Sequence, residues 1–303
     1  MSKTESYHQP VMTQEVLTWL GLPAPLQVNG FSAKRVIDAT LGFGGHTQAL
    51  LAAGCEVLGI DMDTETLKLA QESIASAKLG GKFKSESGNF TNIDEIAKKA
   101  GFDQVDGILF DLGINSFQLD QSGRGLSFKA QNEDLDMRLN KNMSVKASDL
   151  ITALDKSNLT RLFGEVLAKG LANQLALAII ERKRFGGITK VGDLVAVCDQ
   201  TFGHWSQKLL PKIFLALRLA VNGEMENINE ALPKAFGLLR EGGRLLVISF
   251  HSTEDRVVKR VFAQLVENKK AINLTGVGII PATSEIEVNP RSRSARLRII
   301  EKI

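Results

Sequence analysis

Three carboxylates and one glycine-rich turn are the groups in this chain best placed to do chemistry. Residues 36–50 read VIDATLGFGGHTQAL: an apolar run, Asp38, a loop with Gly42, Gly44 and Gly45, then His46, Thr47 and an apolar helical pattern. Asp61 closes a second apolar run (CEVLGIDMD, 55–63), and Asp111 closes another (VDGILFDLG, 105–113). A strand, a tight glycine turn and the first turn of a helix bring backbone N–H groups and a helix N-terminus close to a ligand. A triphosphate, a dinucleotide or another adenosine compound would each suit such a turn.

The flanking residues discriminate among them. A phosphate-gripping P-loop needs Lys and then Ser or Thr after its last glycine, whereas Gly45 is followed by His46 and Thr47. A dinucleotide fingerprint would place its third glycine at Thr47. Asp61 follows the loop by about twenty residues, where a carboxylate accepts hydrogen bonds from ribose hydroxyls. S-adenosylmethionine lacks a pyrophosphate and carries an ammonium that needs acceptors, which Asp38 could supply. Asp38, the loop, Asp61 and Asp111 together favour this methyl donor over NAD.

The elements that must position these groups alternate. Strand-like runs at 55–63, 82–90, 105–113 and 242–250 are separated by helical patterns, the signature of βαβ units in a doubly wound α/β sheet. GVGIIPAT and ARLRIIEK, near the end, read as a closing hairpin or antiparallel pair. Between about 120 and 210 the alternation stops, and a Leu- and Ala-rich helical domain is expected there. Residues 1–119 and 211–303 then form one discontinuous ligand-binding domain.

Composition bounds the function. The chain has 303 residues, 44% hydrophobic and 23% charged, as ordinary globular proteins do. No apolar run reaches membrane-spanning length, and the first residues lack a signal-peptide core, so a cytoplasmic location without membrane contact is expected. Cys55 and Cys198 fit no metal or disulfide spacing, and His8, His46, His204 and His251 are scattered, so no metal site is expected. Net charge is +3, yet the last fifteen residues alone hold four Arg and one Lys against one Glu. Arg291, Arg293, Arg296 and Arg298 are candidates for holding nucleic-acid phosphates, or else line the solvent face of a last strand. The basic run ERKR at 181–184 is a second candidate patch, or complements the dipole of the helix it ends.

Several longer segments carry a resemblance: HQPVM, DATLGFGGHT, GNFTNI, DGILFDLGINSFQLD, GRGLSF, DLDMRL, LALRLAVNGEME, SFHSTEDRVVKR and NPRSRSARLR. In this order they resemble the ribosomal RNA small-subunit methyltransferase H family, also called MraW, over nearly the whole chain. The resemblance implies a class I S-adenosylmethionine-dependent methyltransferase, with a Rossmann-like sheet and an inserted helical substrate-recognition domain. The implied reaction is methylation of the exocyclic N4 of a cytidine in the decoding region of 16S rRNA. It also implies cofactor contacts at Gly44, Gly45, His46, Asp61, Phe90, Asp111 and Gln118. Departures from the family pattern concentrate in the helical insert, where GEVLAKGLANQLA lacks cations the family usually carries.

An exocyclic cytosine amine is a weak nucleophile, so it must be held in line with the sulfonium methyl and lose a proton. Neither cysteine sits where a thiolate would be activated, which disfavours methylation at carbon. Acceptors for the amine are expected beyond the carboxyl ends of the strands: Asn115 and Ser116 after the fourth, His251 after the fifth. The target nucleotide must be unpaired or flipped out to reach such a crevice. Two rival readings are a non-catalytic or weakly active RNA-binding or ribosome-assembly homologue, and an NAD-dependent oxidoreductase. Small-subunit rRNA, within a ribosomal particle, is the expected partner, and the Leu-rich insert would serve a homodimer interface as readily as a monomer's core.

Overall fold

The computed structural model describes residues 10–22, 34–114, 118–119 and 122–303. Its strands are β1 (Arg35–Asp38), β2 (Glu56–Asp61), β3 (Lys82–Ser87), β4 (Val105–Asp111), β5 (Leu239–Ser249), β6 (Ala271–Asn273) and β7 (Arg296–Lys302). Four helices accompany the first strands: α1 (Thr13–Trp19), α2 (Gly45–Ala52), α3 (Thr64–Ala77) and α4 (Ile93–Ala100). Among the described residues, β4 is followed by α5 (Ala147–Ala153), α6 (Lys156–Gly164), α7 (Lys169–Lys183), α8 (Val191–Phe202) and α9 (Ser206–Asn222). The last are α10 (Glu224–Gly237), α11 (Ser252–Glu267) and α12 (Thr283–Val288).

The strands form one sheet of order β3-β2-β1-β4-β5-β7-β6, with β7 antiparallel to both neighbours and the rest of the pairings parallel. Adjacent strand residues serve opposite faces. Val36, Val57, Leu109 and Leu246 pack with Leu17 of α1, Leu50 of α2 and Leu67 of α3. Ile37, Leu58, Ile108 and Leu245 pack with Ile93 of α4, Leu232 of α10 and Val258 of α11. Burial on both faces explains why these strands read as continuous apolar runs. The strand order, with its single inserted antiparallel strand, is the Rossmann-like sheet of class I methyltransferases.

The expected closing pair is met only in part. GVGIIPAT contributes one bridge, Ile279 to Leu297, and the strand paired to β7 is instead Ala271–Asn273. Gly276 and Gly278 adopt positive φ, and Pro281 has no N–H to donate, so the segment cannot hold a ladder. The chain divides into Met1–Gly113 with Met225–Ile303, and Ile114–Glu224. The second unit reaches past 210 because α9 runs through Pro211 and gives Leu210, Ile213, Phe214 and Leu217 to the helical core.

That unit has its own apolar centre, with Ile151, Leu159, Phe163, Leu175 and Leu194 among its members. GRGLSF and DLDMRL fit together at one end of it. Met137 N–H donates to the Arg124 carbonyl (2.8 Å), Arg124 to the Leu139 carbonyl (2.7 Å), and the Asn222 amide joins Leu139 N–H to the Met137 carbonyl. These bonds tie the two motifs to each other and to the end of α9. Among the described residues, no helix is long and apolar enough to cross a membrane.

Candidate active site

Asp38, Asp61 and Asp111 end three neighbouring parallel strands, and the register staggers them. Asp38 pairs with Gly59 on one side and Leu109 on the other, so Asp61 and Asp111 each reach two residues further along their strands. Beyond Asp38 the chain stitches both neighbours: Ala39 N–H donates to the Leu109 carbonyl and Leu41 N–H to the Ile60 carbonyl, each at 2.9 Å. The Thr40 hydroxyl accepts from Asp111 N–H (2.7 Å). The result is a notch at the β1/β4 switch point of the sheet, where open α/β sheets bind ligands.

Asp38 itself is turned inward. One oxygen accepts from the Thr47 hydroxyl (2.7 Å) and the other from Thr40 N–H (3.3 Å), at 1% exposure. Burial raises its pKa, with His46 and the two hydrogen bonds opposing. The carboxylate pins the first turn of α2 to the end of β1. At 1% exposure Asp38 serves this anchoring first, while Asp61 is less deeply enclosed.

The glycines also serve the fold more than was expected. Gly44 caps α2 at φ +78°, and a Cβ there would lie 2.8 Å from Ile74 Cδ1 on α3. A Cβ on Gly45 would lie 3.0 Å from Pro10 Cγ. Their missing side chains admit α3 and the N-terminal segment. No side chain caps α2, so the helix N-terminus keeps its attraction for an anionic group.

Asp61 is better placed for a ligand. Its oxygens accept from Gly42 N–H and Asp63 N–H, both at 2.8 Å, and each retains a lone pair. Burial raises its pKa to about 7, against the pull of those amides, with Asp63 and Asp38 adding to the rise. Asp111 lies opposite. Burial lifts it to about 6; nearby His46 lowers it, while Asp38 and Glu254 raise it. Its Oδ1 is buried and has no hydrogen-bond partner among the described residues, while Oδ2 lies 3.6 Å from His46 Nδ1. The other nitrogen of His46 is hydrogen-bonded to the Val11 carbonyl (2.8 Å), which ties the PVM end of the first motif to the notch. Phe90, half-buried just after β3, meets Phe110 edge to face at 5.6 Å between centroids.

The remaining candidates scatter. Gln118 is buried in the helical unit, its carbonyl accepting from the Ser122 hydroxyl (2.5 Å). Asn115 and Ser116 lie outside the described residues. His251 is the N-cap of α11: its Nδ1 accepts from Glu254 N–H (3.3 Å), and its Nε2 lies 2.9 Å from Glu254 Oε1. A neutral ring that accepts at Nδ1 carries its proton on Nε2 and has no lone pair left for a base. His251 is a capping group in this structure. Glu254 was missed. It is fully buried, accepts from Phe250 N–H (2.8 Å) and His251 N–H (3.3 Å), and adds charge beside Asp111. A cap followed three residues later by Glu is a capping-box signal; His in the cap position disguised it.

Both cysteines are buried, with their thiols pushed up to about 12 mainly by burial. Among the described residues, no group of three or more His, Cys, Asp or Glu could hold a metal ion. The C-terminal arginines diverge. Arg291 and Arg293 are exposed on the turn Pro290–Ser294, and Arg296 is half-buried, donating to the Val277 carbonyl (2.7 Å). Arg298 is only 6% exposed and pairs with Asp255 on α11. It is unavailable to phosphates, because β7 is paired on both edges and α11 covers its face. In ERKR, Arg182 turns to the Phe185 carbonyl (2.6 Å) and Lys183 to the Leu154 carbonyl (2.5 Å).

Known proteins share this sequence along its length. The model of the MraW methylase family matches residues 5–303. The ribosomal RNA small subunit methyltransferase H of Dictyoglomus thermophilum is 38% identical, over 100% of this chain and 99% of that protein. The proteins of the same name from Fusobacterium nucleatum and Geobacter sulfurreducens are each 35% identical, over 98% of this chain and 97% and 99% of theirs. A whole-length family match, with relatives above 30% identity and this sheet beneath them, makes the chain a member of the MraW methylase family.

Proposed function

We propose that this methyltransferase moves a methyl group from S-adenosylmethionine to the exocyclic N4 of a cytidine in the decoding region of small-subunit rRNA, within a ribosomal particle. The observation that carries the cofactor assignment is the Oδ1 of Asp111, buried and without a partner among the described residues, set across the notch from an Asp61 carboxylate with open lone pairs. An unpaired buried acceptor is costly unless a ligand supplies a donor. S-adenosylmethionine brings an ammonium and a ribose diol, which match an acidic notch; a pyrophosphate between these carboxylates would be repelled. That mismatch, with membership of a methylase family, leaves the oxidoreductase reading without support. The same family membership disfavours a purely non-catalytic role.

When bound, the cofactor supplies an electrophilic methyl on a cationic sulfur. The protein's own residues do the rest. Asp111 receives the ammonium, Asp61 the ribose hydroxyls, and Phe90 offers an apolar surface for the adenine. The unfilled N-terminus of α2 attracts the carboxylate. Asn115 and Ser116, which follow β4 in the chain, accept from the cytosine N–H groups and turn the nitrogen lone pair toward the methyl. Arg291 and Arg293 meet backbone phosphates. Relatives of this length that bear an rRNA methyltransferase name support the substrate class.

Mass spectrometry of small-subunit rRNA from cells with and without this protein tests the reaction. One methyl should disappear from one cytidine; an identical modification profile would refute the reading. Asn115→Ala should then slow single-turnover transfer at saturating cofactor by about 100-fold, in the range of a lost positioning group.

A further inference from the structure

Trp205 stands on the surface of the helical unit with 53% of its area exposed, in the turn Gly203–Trp205 between α8 and α9. The apolar centre of that unit closes without it. The ring is nevertheless held. The Lys208 ammonium lies 4.7 Å from its centroid, and the His204 ring lies 5.2 Å away, tilted by 43°. From 203 to 212 the chain carries His204, Lys208 and Lys212, all exposed, and no Asp or Glu. Just before this turn, Gln200 and Thr201 line a groove of about 350 Å³ between α7 and α8, together with Glu181, Arg182 and Phe185. Phe185 is itself 73% exposed.

An exposed indole with an ammonium on its face, on a stretch of ten residues with two lysines and no acid, fits a polyanion that also presents flat apolar rings. Single-stranded RNA has both properties: every base has a π-face that stacks on an aromatic, and every base is followed by a phosphate. Lys208 has a defined part in this. A base that takes the ring face displaces the ammonium and leaves it beside that base's own phosphate. We propose that Trp205 is a stacking platform for an unpaired nucleobase of the RNA substrate, with Lys208 and Lys212 meeting the flanking phosphates. The inference rests on the RNA-methylation reading above and names a contact on the helical unit that this reading leaves unassigned.

The test uses the full chain, a dye-labelled twelve-nucleotide single-stranded RNA containing cytidine, and methyl transfer to small-subunit RNA. Trp205→Ala should weaken oligonucleotide binding and raise KM for RNA about ten-fold, while affinity for S-adenosylmethionine holds. Trp205→Phe should recover most of the loss, and Lys208→Gln should lower the salt dependence of binding. Oligonucleotide should quench the tryptophan emission of the parent protein but not of Trp205→Phe, whose remaining indole is Trp19. Unchanged Kd and KM in Trp205→Ala, with methylation intact, would overturn the platform and leave the reaction standing. Loss of self-association in that variant, with RNA binding unaltered, would overturn it in favour of a second copy of the chain. No methyl transfer by the parent protein to any small-subunit RNA would overturn the reading beneath both.

Discussion

Arg298 lays its guanidinium along the carboxylate of Asp255, with Nε 2.5 Å from Oδ1 and Nη2 3.1 Å from Oδ2, while Nη1 donates to the Gly276 carbonyl at 3.0 Å. The pair joins two of the most distinctive segments of the sequence, SFHSTEDR and NPRSRSARLR, across β7 and α11. Removing one partner of a largely buried pair leaves the other charge stranded. Arg298→Gln should therefore lower unfolding free energy by about 2–4 kcal/mol, read by urea titration. It should leave the salt dependence of RNA binding alone. Arg293→Gln should do the reverse, reducing the log–log salt slope by about 1 with little change in stability.

Asp61 gives cofactor binding a pH dependence of definite sign. Its pKa in the free protein is about 7, raised chiefly by burial. Ribose hydroxyls donate to the ionised carboxylate, so the bound state favours the deprotonated form. Affinity for S-adenosylmethionine should rise as pH increases toward 7, with a slope of at most about ten-fold per pH unit for this one group, and level off above it. Asp111, at about 6, adds to the rise at the lower end. Asp61→Asn should weaken binding and remove the portion centred near 7. Calorimetric titrations across that range, in buffers of differing ionisation enthalpy, would show the linked proton; an unchanged profile in Asp61→Asn would count against this placement of the ribose.

Thr47 donates the hydroxyl bond that keeps buried Asp38 satisfied. Thr47→Val keeps the shape and removes the donor, so it should destabilise the protein by about 1–3 kcal/mol. Thr47→Ser, which keeps the hydroxyl, should recover most of that. Thermal or urea unfolding of the two variants side by side settles it.

Gly44 combines a left-handed backbone with a near contact to Ile74 Cδ1. Gly44→Ala should cost about 1–2 kcal/mol from the positive φ alone, plus whatever the contact adds. Placing it on an Ile74→Val background should relieve the contact share and leave the backbone share. A double-mutant cycle should show a favourable coupling; strict additivity would mean that α3 does not crowd the loop.

The sheet was legible because parallel strands buried on both faces are written as apolar runs, and β2, β4 and β5 announce themselves that way. β6 was not, because AIN is too short to carry a period, and its partner role was assigned to the glycine- and proline-broken segment nearby. The full extent of α9 was not legible, because a proline stands inside it, whereas tertiary packing of Leu210, Ile213 and Phe214 carries the helix through. At the notch, residue types indicated that Asp38, Asp61 and Asp111 belong together. Only register and hydrogen bonding show that Asp38 holds Thr47 while Asp111 keeps an unpartnered oxygen among the described residues. The inward turn of Arg298 was invisible for the same reason, since alternation along a strand says which face a side chain takes but not what covers that face.

The long interruption between β4 and β5 sets an order of events during synthesis. When Glu224 leaves the ribosome, every helix from α5 to α9 has its partners in hand, whereas β4 still waits for β5, which begins fifteen residues further on. Until Leu239–Ser249 emerges, β4 presents a bare hydrogen-bonding edge rich in Ile, Leu and Phe, the kind of edge other chains pair with. Nascent chains arrested shortly after 224 should yield a protease-resistant helical fragment beside a degraded N-terminal half, and their rescue should depend on how quickly translation resumes.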